Sequence, residues 1–194
     1  MKILCLTLAL VALSSMRSRG ETESSWKGSS EITFAGTSTL HNWSGKVTAR
    51  PFIAKVTVNA KGEPTHLTSK VEVTASKMDT ADSDRDAKMR ESMHVKEFPL
   101  ITAEMDCAFN QIAVRGATPS ELPFQLTLLG KRRAVIGQIS HWALKEGVAT
   151  FDLDFSLSLK ACGIEVPTMM WVIKVGDTIR VHAEVKLARA GGSP

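Results

Sequence analysis

From Phe151 to Leu159 every second residue is apolar: Phe151, Leu153, Phe155, Leu157 and Leu159 alternate with Asp152, Asp154, Ser156 and Ser158. A period of two places the two sets on opposite faces of a strand, one buried and one wet. A helix, with its period of 3.6, cannot hold that pattern on one side. The same alternation recurs in Ile101, Ala103, Met105, Cys107 and Phe109, with Thr102, Glu104, Asp106 and Ala108 between them. It recurs again in Ile179, Val181, Ala183, Val185 and Leu187, against Arg180, His182, Glu184 and Lys186. Weaker runs predict strands over 31–35, 46–59, 67–74, 124–129 and 134–142, so the chain carries about eight strands.

Turn residues punctuate these runs at Lys61-Gly62-Glu63-Pro64, Gly116-Ala117-Thr118-Pro119 and Lys145-Glu146-Gly147. One segment departs from the β pattern. Ser83 to His94 predicts a short helix, with Ser83 as cap, Asp84 and Asp86 in the first turn, and Asp86–Arg90 as an i,i+4 pair. Met89 and Met93 then share its apolar side, and Pro99 starts the next strand.

About eight antiparallel strands, each with one apolar face, close into a small barrel whose interior can hold one ligand. A sandwich satisfies the same alternation. An outer-membrane barrel does not fit. It needs aromatic girdles, whereas this chain has no Tyr, 6% aromatics, and outward charges such as Arg180 and Lys186.

The ends read differently from the middle. Lys2 precedes an apolar run, Ile3 to Leu13, of signal-peptide length and too short to span a bilayer. Ala12-Leu13-Ser14 places cleavage near Ser14 or Ser15, and no Cys follows as a lipid anchor. The expected layout is a signal peptide over 1–15, a polar tail over 16–29, one domain over 30–188, and a loose tail over 189–194. No later run predicts an integral membrane span. The protein is therefore expected to be exported, to a periplasm or outside the cell. Cys5 leaves with the signal peptide. Cys107 and Cys162 remain, either as a disulfide that export permits or as two small buried hydrophobes.

Chemistry-bearing motifs are absent. The chain lacks a phosphate loop, a G-x-S-x-G elbow, an H-E-x-x-H and a C-x-x-C. His41, His66, His94, His141 and His182 fall in separate segments, and spacing gives no support to a metal site of His41, His94 and His141. Asp82, Asp84 and Asp86 begin like a calcium loop, but Ala87 replaces its Gly and Met93 its Glu, so they read as helix-capping carboxylates. Asp152 and Asp154 read as the wet face of a strand. Ser38 or Ser44 lies near His41, with no acid to orient it. Asn42-Trp43-Ser44 fits a glycosylation sequon with a poor central residue. A net charge of +4 is scattered, and its one cluster, Lys131-Arg132-Arg133 after Gly130, reads as a solvated turn rather than a nucleic-acid site. The expectation is a protein with no catalytic residues, no metal and no cofactor.

Several segments, in order, resemble the YceI-like family of lipocalin-like, polyisoprenoid-binding proteins. Thr33-Phe34-Ala35-Gly36-Thr37-Ser38-Thr39-Leu40-His41-Asn42-Trp43 is similar to the first strand of a subgroup with a Gly-Thr-Ser-Thr-Leu-His-x-Trp signature. Met78-Asp79-Thr80, with Arg85-Asp86 and Met93, resembles the approach to the family's short helix. Lys96-Glu97-Phe98-Pro99-Leu100-Ile101-Thr102 resembles its aromatic-Pro-x-Ile-Thr strand start, and Leu126-Thr127-Leu128-Leu129-Gly130-Lys131 its Leu-Thr-x-x-Gly hairpin. Gly163-Ile164-Glu165-Val166-Pro167 and Ile173-Lys174-Val175-Gly176-Asp177 resemble the closing strands. Cys162 stands where an aromatic is common, Val166 where a second Pro is, and Lys131-Arg132-Arg133 where the family has Gly-x-Thr-Lys.

The resemblance implies an all-β fold, an eight-stranded antiparallel lipocalin-like β-barrel with one short helix. It implies an amphiphilic lipid ligand, whether a long isoprenoid, a quinone or a fatty-acyl chain, held in a hydrophobic tunnel for transport, storage or stress-related sequestration. Phe34, Ile101 and Leu153 would line that tunnel, with Phe151 and Phe155 as its aromatic wall. Met89, Met93, Met105, Met169 and Met170 would adapt to a flexible chain. Trp43 and Trp171 would form the rim or plug the barrel. Two alternatives stay open: an interaction or stress-response module with a filled core, and an enzyme using His41 inside the barrel. A homodimer also stays open.

Overall fold

A computed structural model describes residues 21–116, 118–164 and 175–191. It contains ten strands in one sheet. They are β1 Thr22–Thr37, β2 Asn42–Thr48, β3 Phe52–Val58, β4 Pro64–Thr74, β5 Leu100–Ala108, β6 Ala113–Arg115, β7 Thr118–Leu128, β8 Lys131–Lys145, β9 Val148–Ser158 and β10 Thr178–Arg189. One helix, α1, spans Ser83–Ser92, and a single helical turn, α2, spans Leu159–Cys162. Every strand pair is antiparallel, and β1 pairs with β10 over Trp26–Ala35, which closes the sheet on itself.

The closed ring has eight places. β2 and β3 lie on the same side of β1, β2 against Glu31–Thr37 and β3 against Thr22–Gly28, so together they fill one place. β6 pairs only with β7 and stands outside the ring. The result is a closed eight-stranded antiparallel barrel with two extra strands.

Five local expectations change. The run 46–59, read as one strand, is two. Pro51 has no N–H to give a ladder, and inward-facing positions switch from Val47 to Phe52 and Ala54 across the break. Ala49 N–H still reaches the Ser30 carbonyl at 2.9 Å, and Arg50 N–H the Glu72 carbonyl at 2.8 Å, so the wall stays bonded. Within the stretch expected as a polar tail, Thr22–Ser29 form the first half of β1. Backbone pairing with β3 and β10 needs no apolar alternation. Gly28 is required there, because a Cβ would sit 2.2 Å from the Phe52 ring.

The turn expected at Lys131–Arg133 lies one step earlier. Leu129 and Gly130, with φ of 50° and 68°, make a two-residue hairpin turn, and Lys131–Arg133 open β8. The helix begins as expected, but its cap is Asp82 rather than Ser83: Asp82 accepts from the N–H groups of Asp84 and Arg85 at 3.1 and 3.0 Å. Leu159 and Phe109, expected at strand ends, turn away into α2 and a 3-10 turn, Phe109–Gln111.

Both ends of the barrel are dressed. At one end Met93, Leu128, Cys162 and Ile164 form a buried cluster joining α1, the β7–β8 hairpin and α2. At the other, Ile112 is buried with Leu122 and Phe151, and Phe109 and Trp142 pack against them. The outer wall carries three histidine–aspartate pairs: His66–Asp106 at 2.7 Å, His141–Asp152 at 2.6 Å and His182–Asp154 at 2.8 Å. Asp154 raises the His182 pKa above its ordinary value by accepting its hydrogen bond, partly offset by burial, and Asp152 and Glu184 add to the rise.

A folded pKa above the unfolded one gives a stability increment that is full below the unfolded value of 6.5 and is lost as pH rises through the folded value. His182→Gln is therefore expected to cost most near pH 5.5 and least near pH 8.5. The effect should be small, since both partners are half exposed. Urea midpoints of wild type and variant at the two pH values measure it, and an equal or larger gap at high pH contradicts it.

Candidate functional site: an apolar cavity inside the barrel

Strand parity decides what faces inward. On β10 these are Ile179, Val181, Ala183, Val185 and Leu187, and on β9 Phe151, Leu153, Phe155 and Leu157. β7 contributes Leu122, Phe124, Leu126 and Leu128, β5 Ile101, Ala103 and Met105, and β4 Leu67, Val71 and Val73. These side chains do not meet at the barrel axis. They enclose a cavity of about 560 Å³, within the range of ligand pockets, about 300–1,000 Å³.

Its mouth lies at the α1 end. The β1–β2 turn brings Ser38, Leu40 and His41 to one side, and α1 brings Asp82, Asp84, Arg85 and Lys88 to the other. Ser38 Oγ donates to the His41 carbonyl at 2.8 Å and accepts from the His41 N–H at 3.3 Å, which tightens the turn and leaves Leu40 63% exposed beside the opening. Arg85 is tied to Asp82 at 3.1 Å. Apolar walls with a charged rim suit a molecule that is apolar along its length and polar at one end.

Nine of the sequence-selected residues line this cavity. Phe34, Trp43, Met89, Met93 and Ile101 lie toward the mouth, and Met105, Phe151, Leu153 and Phe155 along the wall. Phe34 and Trp43 meet edge-on at 6.3 Å, and Phe155 meets Phe124 edge-on at 5.2 Å. Met169, Met170 and Trp171 lie outside the described residues. The wall also holds residues that were not singled out, including Ser30, Ile32, Leu126 and Val181. Their alternation is visible in the sequence, so parity alone could have found them.

Ser30 is the odd member of the wall. It is 5% exposed, and its Oγ is buried with no hydrogen-bond partner among the described residues. An orphaned buried hydroxyl costs about 1–3 kcal/mol. Ser30→Ala is expected to stabilise the protein by about 1 kcal/mol, read as a raised urea midpoint at unchanged slope. A lowered midpoint would mean the hydroxyl has a partner.

The remaining candidates do not assemble. The Ser38–His41 contacts run through the turn backbone, and Ser44 faces outward. Among the described residues no three His, Cys, Asp or Glu side chains are grouped to hold a metal. Cys107 and Cys162 are free buried thiols in separate apolar clusters, one near each end of the barrel. Burial pushes both thiol pKa values up, the direction of inert rather than reactive cysteine. No helix among the described residues is long and apolar enough to cross a membrane.

A closed antiparallel barrel around an apolar cavity with one charged rim is the architecture of a binding barrel. The chain belongs to the YceI-like domain family, whose model matches residues 26–187. A search of curated proteins returned no match. Among solved structures the fold is similar to that of Burkholderia cenocepacia BcnA, with TM-score 0.62 and 15% identity over 81% of this chain and 95% of that one. It is similar to a polyisoprenoid binding domain from Saccharophagus degradans implicated in plant cell wall breakdown, with TM-score 0.62 and 9% identity over 86% and 98%. A mutant of the Campylobacter jejuni YCEI protein gives TM-score 0.51 and 16% identity over 76% and 85%.

Proposed function

We propose that this protein binds an amphiphilic lipid, holding its apolar chain in the barrel and its polar end at the α1 mouth, without chemical turnover. The observation that carries the reading is the 560 Å³ cavity with an almost wholly apolar wall. A core built only for stability is close-packed, and each void costs stability through lost contacts. A hollow of this size is retained because something occupies it. The family and the polyisoprenoid binding domain of Saccharophagus degradans support a lipid or isoprenoid as the occupant. Isoprenoid, quinone and fatty-acyl chains all present the same apolar length to such a wall.

The reading includes export. The apolar run 3–13 is the signal, and a lipid that crosses an aqueous compartment needs a shielded interior. No cofactor is invoked, because hydrophobic burial at about 25 cal/mol per Å² supplies affinity by itself. The test is co-elution. Detergent-free protein mixed with a radiolabelled single-chain lipid, then passed through gel filtration, should carry about one lipid per chain. Label that elutes only with vesicles or micelles would refute the reading.

A further inference from the structure

Charge is unevenly placed around the mouth end of the barrel. Lys131, Arg132 and Arg133 open β8 directly after the Leu129–Gly130 turn, and Lys160 lies in α2. The two segments meet. A Cβ on Gly163, which caps α2, would sit 2.8 Å from Lys131 Nζ, so that ammonium lies over the end of the helical turn. Arg133 stands close by: burial pushes the Cys162 thiol pKa up, and the Arg133 charge partly offsets the rise.

Two carboxylates face these four cations. Glu104 takes Arg132 at 3.2 Å. Asp177 accepts from the Ser158 hydroxyl at 2.7 Å and the Lys160 N–H at 2.8 Å. Lys96 and Glu97 cancel in the turn whose Phe98 ring lies against Gly130. Among the described residues Lys131, Arg133 and Lys160 form no ion pair. The face therefore carries a surplus of positive charge. At the far end of the barrel the hairpin turns hold a carboxylate for each cation, Glu63 with Lys61 and Glu146 with Lys145.

The cationic face runs into the mouth. Leu159 N–H donates to the Asp177 carbonyl at 2.8 Å and Gly176 N–H to the Thr37 carbonyl at 2.7 Å, which ties α2 to the start of the β1–β2 turn. That turn carries Leu40, the most exposed large apolar side chain among the described residues, and Leu40 also lines the opening. The rim across from it, Asp82 and Asp84 on α1, is acidic, so an anionic surface is met on the α2 side. A single exposed Leu is ordinary. One set beside unpaired cations at the opening of an apolar cavity suits a bilayer, whose anionic headgroups attract Lys and Arg and whose interface takes up apolar side chains. A soluble polyanion would match the charge and gain nothing from Leu40.

We propose that Lys131, Lys160 and Leu40, backed by Arg132 and Arg133, dock the barrel mouth-first on a bilayer that carries anionic lipids, so that cargo passes between membrane and cavity without crossing water. This rests on the lipid-binding reading and adds the surface at which lipid is exchanged.

The experiment sediments the full chain, purified without detergent, with vesicles of phosphatidylcholine alone or mixed with phosphatidylglycerol. Binding is expected to the mixed vesicles only, and to be lost in about 1 M salt, where the screening length falls to about 3 Å. A cation near an anionic surface is worth about fivefold in affinity. Lys131→Gln with Lys160→Gln should therefore weaken docking about 25-fold, and Leu40→Ser about tenfold. Lys61→Gln with Lys145→Gln removes the same charge from the far end and should leave docking unchanged. Without vesicles, the Lys131→Gln, Lys160→Gln protein should take up dansyl-undecanoate, a fluorescent fatty-acid probe, as the wild type does. Equal binding to both kinds of vesicle, equal losses in the two double variants, or capture of a DNA oligonucleotide in place of vesicles overturns the docking face, while continued uptake of the probe leaves lipid binding intact. Failure to bind either vesicles or probe overturns both.

Discussion

Ala103→Trp is expected to abolish lipid uptake, with a loss of at least about 100-fold in affinity, while the barrel stays folded. Ala103 lies midway along β5, between Ile101 and Met105, and its side chain lines the cavity. Its strand partners Val71 and Leu126 line the cavity too. An indole placed there projects into the hollow that a chain would fill. In a close-packed core such a change forces neighbours off their rotamers and costs about 1–3 kcal/mol. Here 560 Å³ of space is available to receive it, and each methylene of cargo it displaces forfeits about 0.8 kcal/mol. Five displaced methylenes are about 4 kcal/mol, nearly a thousandfold. The control is Ala134→Trp on the exposed face of β8, which should leave binding unchanged. Thermal melting and probe displacement on the three proteins check the result. A variant that binds like wild type places the ligand elsewhere; one that simply unfolds favours a filled core.

The second large effect is on stability. Asp86 in α1 is 6% exposed, and its Oδ1 accepts from the Thr80 N–H at 2.9 Å and the Thr80 Oγ1 hydroxyl at 2.7 Å. Arg90 lies 3.7 Å from its other oxygen. The carboxylate ties the helix to the segment that enters it, so it fixes one side of the mouth. Asp86→Ala leaves the buried Thr80 N–H without its acceptor and the Thr80 hydroxyl with only the Asp82 carbonyl at 3.5 Å, and is expected to cost about 3 kcal/mol, a fall in Tm of about 6–12 °C for a chain of this size. Asp86→Asn keeps one carbonyl acceptor and should cost less than half as much. Hydrogen exchange should show α1 losing protection first, ahead of β5 and β9. Equal melting of wild type and Asp86→Ala would mean the helix is held by Met89 and Met93 alone.

The parts of the barrel legible in the sequence are those where burial differs between the two faces. β5, β9 and β10 show clean alternation, and their inner residues are the cavity wall. β1 before Ser30 was not legible, because Thr22–Ser29 are held by backbone pairing, with β3 over Thr22–Gly28 and with β10 from Trp26 onward, and carry little apolar signal. The β2–β3 break was visible only as Pro51, and the change of inward parity across it depends on where β1 continues. Of the mouth, only its apolar members such as Trp43, Met89 and Met93 were legible, through the family resemblance; its charged rim was not. It joins a turn at 38–41 to a helix at 83–92, and no local pattern relates them. The same holds for the other end, where Phe109 reads as the last residue of a strand but opens the 3-10 turn Phe109–Gln111. A cavity is a property of side chains that fail to meet, and alternation records only which way they point.

Intact native mass spectrometry tests the central claim most directly. The full chain is expressed and purified without detergent, and its mass is compared before and after denaturation. Lipid binding requires an added mass of a few hundred daltons that leaves on unfolding and is recovered in a solvent extract. A clean polypeptide mass that stays unchanged after incubation with fatty acids, quinones and polyprenols would contradict it and return the barrel to the role of an interaction module.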